Sequence, residues 1–160
     1  MTKNVLNTIA EDLIRKNETL AVAESVTSGL LMAALSLTKN ATSFFQGGVV
    51  AYNLGQKARH LSVDPIHAEK SNSVSEAVAR QMAIGVANGF CSQWAIAVTG
   101  YAAPVPELSV TRCFAFYSFC HNGDVVLVER IETPETQQER VQQIYIDHIL
   151  RAFSDKVKML

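Results

Sequence analysis

The sequence predicts an α/β protein: a three-layer α/β/α sandwich around a mixed, mostly parallel sheet that includes one antiparallel hairpin. Short apolar blocks at 19–23, 44–52 and 94–98 alternate with helical patterns, the order that lays parallel strands side by side and sends the connecting helices to both faces. His121-Asn122-Gly123-Asp124, between apolar runs at 113–119 and 124–131, is a tight-turn signal that makes those two strands antiparallel. The chain has 160 residues, of which 48% are hydrophobic and 18% charged, which suits a single domain, 1–160, with one sizeable core.

Val5, Leu6, Ile9, Leu13 and Ile14 recur at helical spacing, so residues 3–16 read as an amphipathic surface helix stopped near Asn17. Thr19-Leu20-Ala21-Val22-Ala23 is a strand buried on both faces, followed by the polar turn Glu24-Ser25-Val26-Thr27-Ser28-Gly29. Residues 30–37 are apolar nearly all round, which predicts a buried helix. In the second strand, 44–52, Gly47-Gly48 predicts a bulge or a close backbone approach, and Asn53 caps a short helix through Leu61. Asp64-Pro65 breaks the chain, and Ser73-Val74-Ser75-Glu76 has capping-box spacing before a helix to about 88. Thr99-Gly100 stops the third strand. Thr133-Pro134-Glu135 opens a last helix to about Phe153 or beyond, after which a basic tail frays.

Several function classes are excluded at this stage. Fourteen Lys and Arg against fifteen Asp and Glu leave a net charge of -1, so no general cationic field draws a nucleic acid. The longest apolar run, Leu30 to Leu35, falls far short of the roughly 20 residues of a membrane span, and the N-terminus lacks a signal peptide's apolar centre, which gives a cytoplasmic reading. Cys91, Cys113 and Cys120 read as reduced packing residues, and His60, His67, His121 and His148 lack metal-ligand spacing. Neither a dinucleotide nor a P-loop fingerprint occurs, so no metal and no cofactor is expected.

Three strand ends carry residues suited to chemistry. The 24–29 turn places Ser25 between a strand end and a helix start, where backbone N–H groups can meet an oxyanion; read structurally, its Ser and Thr residues are helix caps. Tyr52 and Lys57 follow the second strand, and a lysine whose pKa is lowered by burial can serve a serine as general base; the bland alternative is a solvated lysine and a packing tyrosine. Thr99 and Gly100 end the third strand, so all three ends converge on one pocket if the sheet is parallel.

Taken together, these segments resemble the C-terminal domain of the competence-damage-inducible protein CinA, a domain that also occurs alone as a nicotinamide mononucleotide (NMN) deamidase. The resemblance covers nearly the whole chain. It lies in Ala23-Glu24-Ser25-Val26-Thr27-Ser28-Gly29 against the family's AESCTGG, and in 45–53 followed by Lys57 against FxGGxxxYSNxxK. Val74-Ser75 before Met82-Ala83-Ile84-Gly85, and Ala97-Val98-Thr99-Gly100, complete it. It implies metal-independent hydrolysis of a pyridine carboxamide, with Ser25 as nucleophile, Lys57 as base and Tyr52 as orienting group. It further implies substrate contacts from Glu24, Thr27, Gly29, Gly48, Asn53, Thr99, Gly100 and Arg140, a small-molecule substrate, and a homo-oligomer.

The sequence departs from that pattern where the family has a glycine-rich loop: residues 101–112 contain no glycine and add Glu107. Val26 and Ser28 replace a cysteine and a glycine, and Glu135-Thr136-Gln137 stands near the family's GDR, with Arg140 the nearest guanidinium. The loop therefore predicts weak holding of a nucleotide phosphate. Beside the amidohydrolase stands a second reading, a non-catalytic paralogue that keeps the pocket for another ligand or partner; an oligomerisation module is a third.

Overall fold

The computed structural model describes residues 2–160. In chain order the elements are α1 (Thr2–Lys16), β1 (Leu20–Glu24), α2 (Leu30–Ser36), β2 (Phe45–Val50), α3 (Leu54–Leu61), α4 (Pro65–Lys70), α5 (Glu76–Phe90), β3 (Trp94–Gly100), β4 (Cys113–His121), β5 (Asp124–Thr133) and α6 (Gln138–Met159). The sheet order is β2-β1-β3-β4-β5. β2, β1 and β3 are parallel, and β4 and β5 run antiparallel to their neighbours.

Alternating side chains on the central strands build two unlike cores. Leu20 and Val22 of β1 and Trp94, Ile96 and Val98 of β3 face α1, α2 and α6. Ala21, Ala23, Ala95 and Ala97 face the other way, toward α3, α4 and α5. Large residues on one face and alanines on the other let α5 lie close against the sheet while α1 and α6 fill a deeper layer. The result is the expected three-layer sandwich.

Local expectations fared unevenly. The register of β1 on β2 shifts by one residue between Leu20 and Ala21, so the anticipated bulge is present. α2 is not buried all round: Leu31 and Leu35 are covered, whereas Leu30 is 45% exposed, because the helix lies on the sheet's outer strands with one side open. Asp64-Pro65 starts a helix as well as breaking the chain, since the Asp64 carboxylate accepts from the Ile66 N–H at 2.9 Å and Pro65 takes the first position. The cap of α5 is Ser75, whose hydroxyl accepts from Val78 N–H; Ser73 lies outside the helix at φ +60°. β3 continues through Thr99 and Gly100. The last helix begins at Gln138, because Thr133 Oγ1 and Glu135 Oε1 bond the N–H groups of 135–137 in a turn of their own, and it continues to Met159 without fraying.

Candidate active site

The parallel register sets Val50 and Val98 level with Glu24, so β2, β1 and β3 end at one edge of the sheet. The segments leaving them wall a cleft of about 480 Å³. Ser25 follows β1 directly. Its N–H donates to Val98 O at 3.1 Å, and its carbonyl accepts from Ser28 N–H at 3.1 Å, closing a turn.

Lys57 reaches the same point from α3. Asn53 Oδ1 accepts from Gln56 N–H at 3.0 Å and starts the helix, which places Lys57 on its inner face. The lysine is 2% exposed, and its Nζ donates to Ser25 Oγ at 2.9 Å and to Ala51 O at 3.0 Å. Among the described residues no carboxylate pairs with it. Burial alone pushes its pKa down to about 8, since an ammonium removed from water without a counter-ion favours its neutral form. A serine hydroxyl touching a lysine that deprotonates near neutral pH is the arrangement of an activated nucleophile.

The other anticipated residues divide between cleft and scaffold. Tyr52 lines the cleft at its mouth, 63% exposed, and makes no hydrogen bond to Ser25 or Lys57. Asn53, Thr99 and Gly100 also line it. The Thr99 hydroxyl is engaged with Ser73 O at 2.7 Å, and Gly100 is required by packing, because a Cβ there would lie 2.5 Å from the Ala115 backbone. Glu24 stays out of the cleft: its fully buried carboxylate accepts from the N–H groups of Gly29, Leu31 and Met32 at 3.0, 3.1 and 2.7 Å, capping α2. That bond uses the Gly29 N–H, so Gly29 is no oxyanion donor. Gly48 serves packing, since a Cβ there would meet Val22 O at 2.0 Å. Thr27 is fully buried, with its hydroxyl unpartnered and outside the cleft lining. Arg140 also stands outside, 70% exposed and 3.9 Å from Glu135, and Glu107 is absent from the wall.

Sequence reasoning missed Glu69, Asn72, Ser73, Tyr101 and Gln138, which complete the wall. Most of them sit on α4, the helix taken for a break, or on the loop behind it; Asn72 Nδ2 donates to Tyr101 Oη at 3.1 Å across that wall. Lys57 and Glu69 are the only charged residues lining the cleft among the described residues. Arg112, a guanidinium close in sequence, pairs with Glu132 at 3.0 Å instead. No group of His, Cys, Asp and Glu able to hold a metal occurs among the described residues, and none of their helices is long and apolar enough to cross a membrane.

The family described as the CinA C-terminal domain matches residues 2–157, and the chain belongs to it. A CinA-like protein of Trichormus variabilis is 42% identical over 100 residues, covering 62% of this chain and 24% of its own length. One from Gloeobacter violaceus is 45% identical over 92 residues, covering 58% and 22%. The chain thus matches about a quarter of the length of these relatives. Among solved structures, a competence-damaged protein (CinA) superfamily protein from Klebsiella pneumoniae superposes with a TM-score of 0.91 at 25% identity, covering 100% of this chain and 99% of that one. The competence damage-inducible protein A (ComA) from another strain of that species gives 0.90 at 28% identity over 98% and 97%.

Proposed function

We propose that this CinA-family domain is an amidohydrolase that deamidates NMN or a related pyridine amide. The observation that carries the reading is the 2.9 Å contact between Ser25 Oγ and a buried Lys57 that has no counter-ion. With Lys57 neutral, the Ser25 proton passes to Nζ as Oγ bonds the carboxamide carbon. The resulting ammonium then protonates the leaving nitrogen, the C–N bond breaks, and ammonia departs from an acyl-serine ester. Neutral Lys57 next takes a proton from water, whose oxygen attacks the ester; the acid leaves and Ser25 recovers its hydrogen. Tyr52, at the mouth, is suited to packing on the ring of the amide and not to relaying this proton.

The charge of the cleft shapes which amide it takes. With Glu69 on the wall, no arginine there and Lys57 engaged with Ser25 and Ala51, an anionic phosphate finds no free cationic partner among the described residues. The nucleoside form is therefore the better ligand. The same observation favours the second reading, a paralogue that binds without hydrolysing. Ammonia release from NMN, its nucleoside and free nicotinamide separates the two. Release that disappears in Ser25→Ala supports the hydrolase, and calorimetric binding without release from any of the three supports the paralogue. Tighter binding of NMN than of its nucleoside would overturn the charge argument.

A further inference from the structure

We infer that Gln142 of α6 is a positioning residue that braces the turn presenting the Val26 N–H as the oxyanion donor of the cleft. The inference rests on the amidohydrolase reading and adds to it a residue from the far end of the chain. Accounting for the backbone of the 25–29 turn leads to it. Ser25 N–H bonds Val98 O, Ser28 N–H bonds Ser25 O and Gly29 N–H bonds Glu24, so none of these three is open to a substrate. The N–H groups of Val26 and Thr27 have no acceptor among the described residues, and of the two only Val26 lines the cleft, immediately after the nucleophile. An unpaired N–H at a nearly buried residue, 5% exposed, is costly unless something outside the fold accepts from it.

Both peptide planes flanking Val26 are fixed. The plane before it is held by the Ser28 bond to Ser25 O. The plane after it is held by Gln142 Nε2, which donates to Val26 O at 2.8 Å from a side chain 8% exposed. The Val26 N–H lies in the first of these planes and is aimed by the Ser28 bond, while the Gln142 bond holds the adjoining plane and so resists rotation about the Val26 Cα bonds. Such a donor needs no reorganisation when charge develops on the carbonyl oxygen. Gln138, one helical turn earlier on α6, lines the cleft, so the same stretch of helix both walls the cleft and braces the turn.

The test uses p-nitrophenyl acetate, an activated ester whose acylation of Ser25 builds the same oxyanion. Gln142→Met keeps the volume and removes the donor. It should lower the acylation rate about tenfold to a hundredfold, short of the full loss of an oxyanion donor. The apparent KM and the pH midpoint near 8 should stay unchanged, because substrate binding and Lys57 are untouched. If Gln142→Met fails to fold, Gln142→Asn, which keeps the amide and shortens its reach, should give the same rate loss. An unchanged rate in a folded variant, or a loss accompanied by a shifted pH midpoint, overturns the inference alone. Wild-type protein that is not acylated at Ser25 overturns the amidohydrolase reading and this inference with it.

Discussion

The two ends of the sheet treat their polar groups in opposite ways. At the end away from the cleft, Trp94 Nε1 donates to Glu18 at 2.7 Å and His121 meets the other oxygen of the same carboxylate at 2.9 Å. Trp94 stacks on His121 with ring centroids 4.1 Å apart, and Thr19 donates twice to Gln93. At the cleft end, among the described residues, Lys57 has no counter-ion, the Val26 N–H lacks an acceptor and Thr27 Oγ1 is buried without a partner. The first end ties its tryptophan, histidine and threonine to carboxylate and amide partners, although Ser92 Oγ is buried there without one; the other leaves a lysine without a carboxylate. On the proposed reading, the unpaired lysine and backbone donor belong to the site, and the paired groups at the other end to the scaffold.

The sharpest way to break this contrast is Ser25→Ala. It should reduce amide turnover about a thousandfold or more while leaving the urea midpoint within about 1 kcal/mol of wild type, because only the nucleophile is removed. Comparable turnover in that variant would place the chemistry elsewhere. Next comes Glu24→Ala. Its carboxylate holds the start of α2 at the cleft end, so its loss strips the N–H groups of Gly29, Leu31 and Met32 of their acceptor and should cost about 3 kcal/mol in chemical denaturation.

Lys57→Met should abolish turnover and yet stabilise the fold at pH 7 by about 1–2 kcal/mol, since it replaces an uncompensated buried ammonium by an apolar chain. The sign follows from the lowered pKa. Between about 8 and the ordinary lysine value of 10.5 the unfolded chain binds more protons at Lys57 than the folded one, so wild-type stability rises with pH across that window. The advantage of the Met variant should therefore shrink over the same range, and melting curves at pH 7 and 10 read it. The smallest effect belongs to the closed end. Glu18→Gln should lose about 1 kcal/mol with no change in rate. Burial raises the Glu18 pKa, but hydrogen bonds from His121 and Trp94 outweigh burial and hold it below the usual carboxylate range. Its stabilisation is consequently present above the unfolded-state pKa and is lost on acidification through the folded one, the opposite pH limb from Lys57. A rate change in Glu18→Gln would show that the two ends are coupled.

The strands were legible because buried β-strands are short apolar blocks between turn residues, and 19–23 and 94–98 carry that pattern; their order in the sheet was not. α4 was not, because six residues are too few for a periodicity and Asp64-Pro65 signals a break and a helix start equally. At the site, Ser25 and Lys57 stood out through the family resemblance, and their contact is geometric fact here. Glu24 and Arg140 misled for a common reason: residue type says that a charge wants a partner, not whether backbone, solvent or a substrate supplies it. Gln142 was invisible as a lone amide in an amphipathic helix. Its position one residue past Val141 and four before Ile146, within the apolar stripe, was the available signal.

The bond from Gln142 to Val26 spans 116 residues of chain, against 32 for Lys57 to Ser25. Read along the time axis of synthesis, serine and lysine leave the ribosome together and early, whereas the brace on the turn is among the last parts made. A nascent chain therefore holds Ser25 and Lys57 through most of translation without the bond that Gln142 gives the turn. On the proposed reading, chains that stop short of α6 lack that brace, and completing the final helix supplies it.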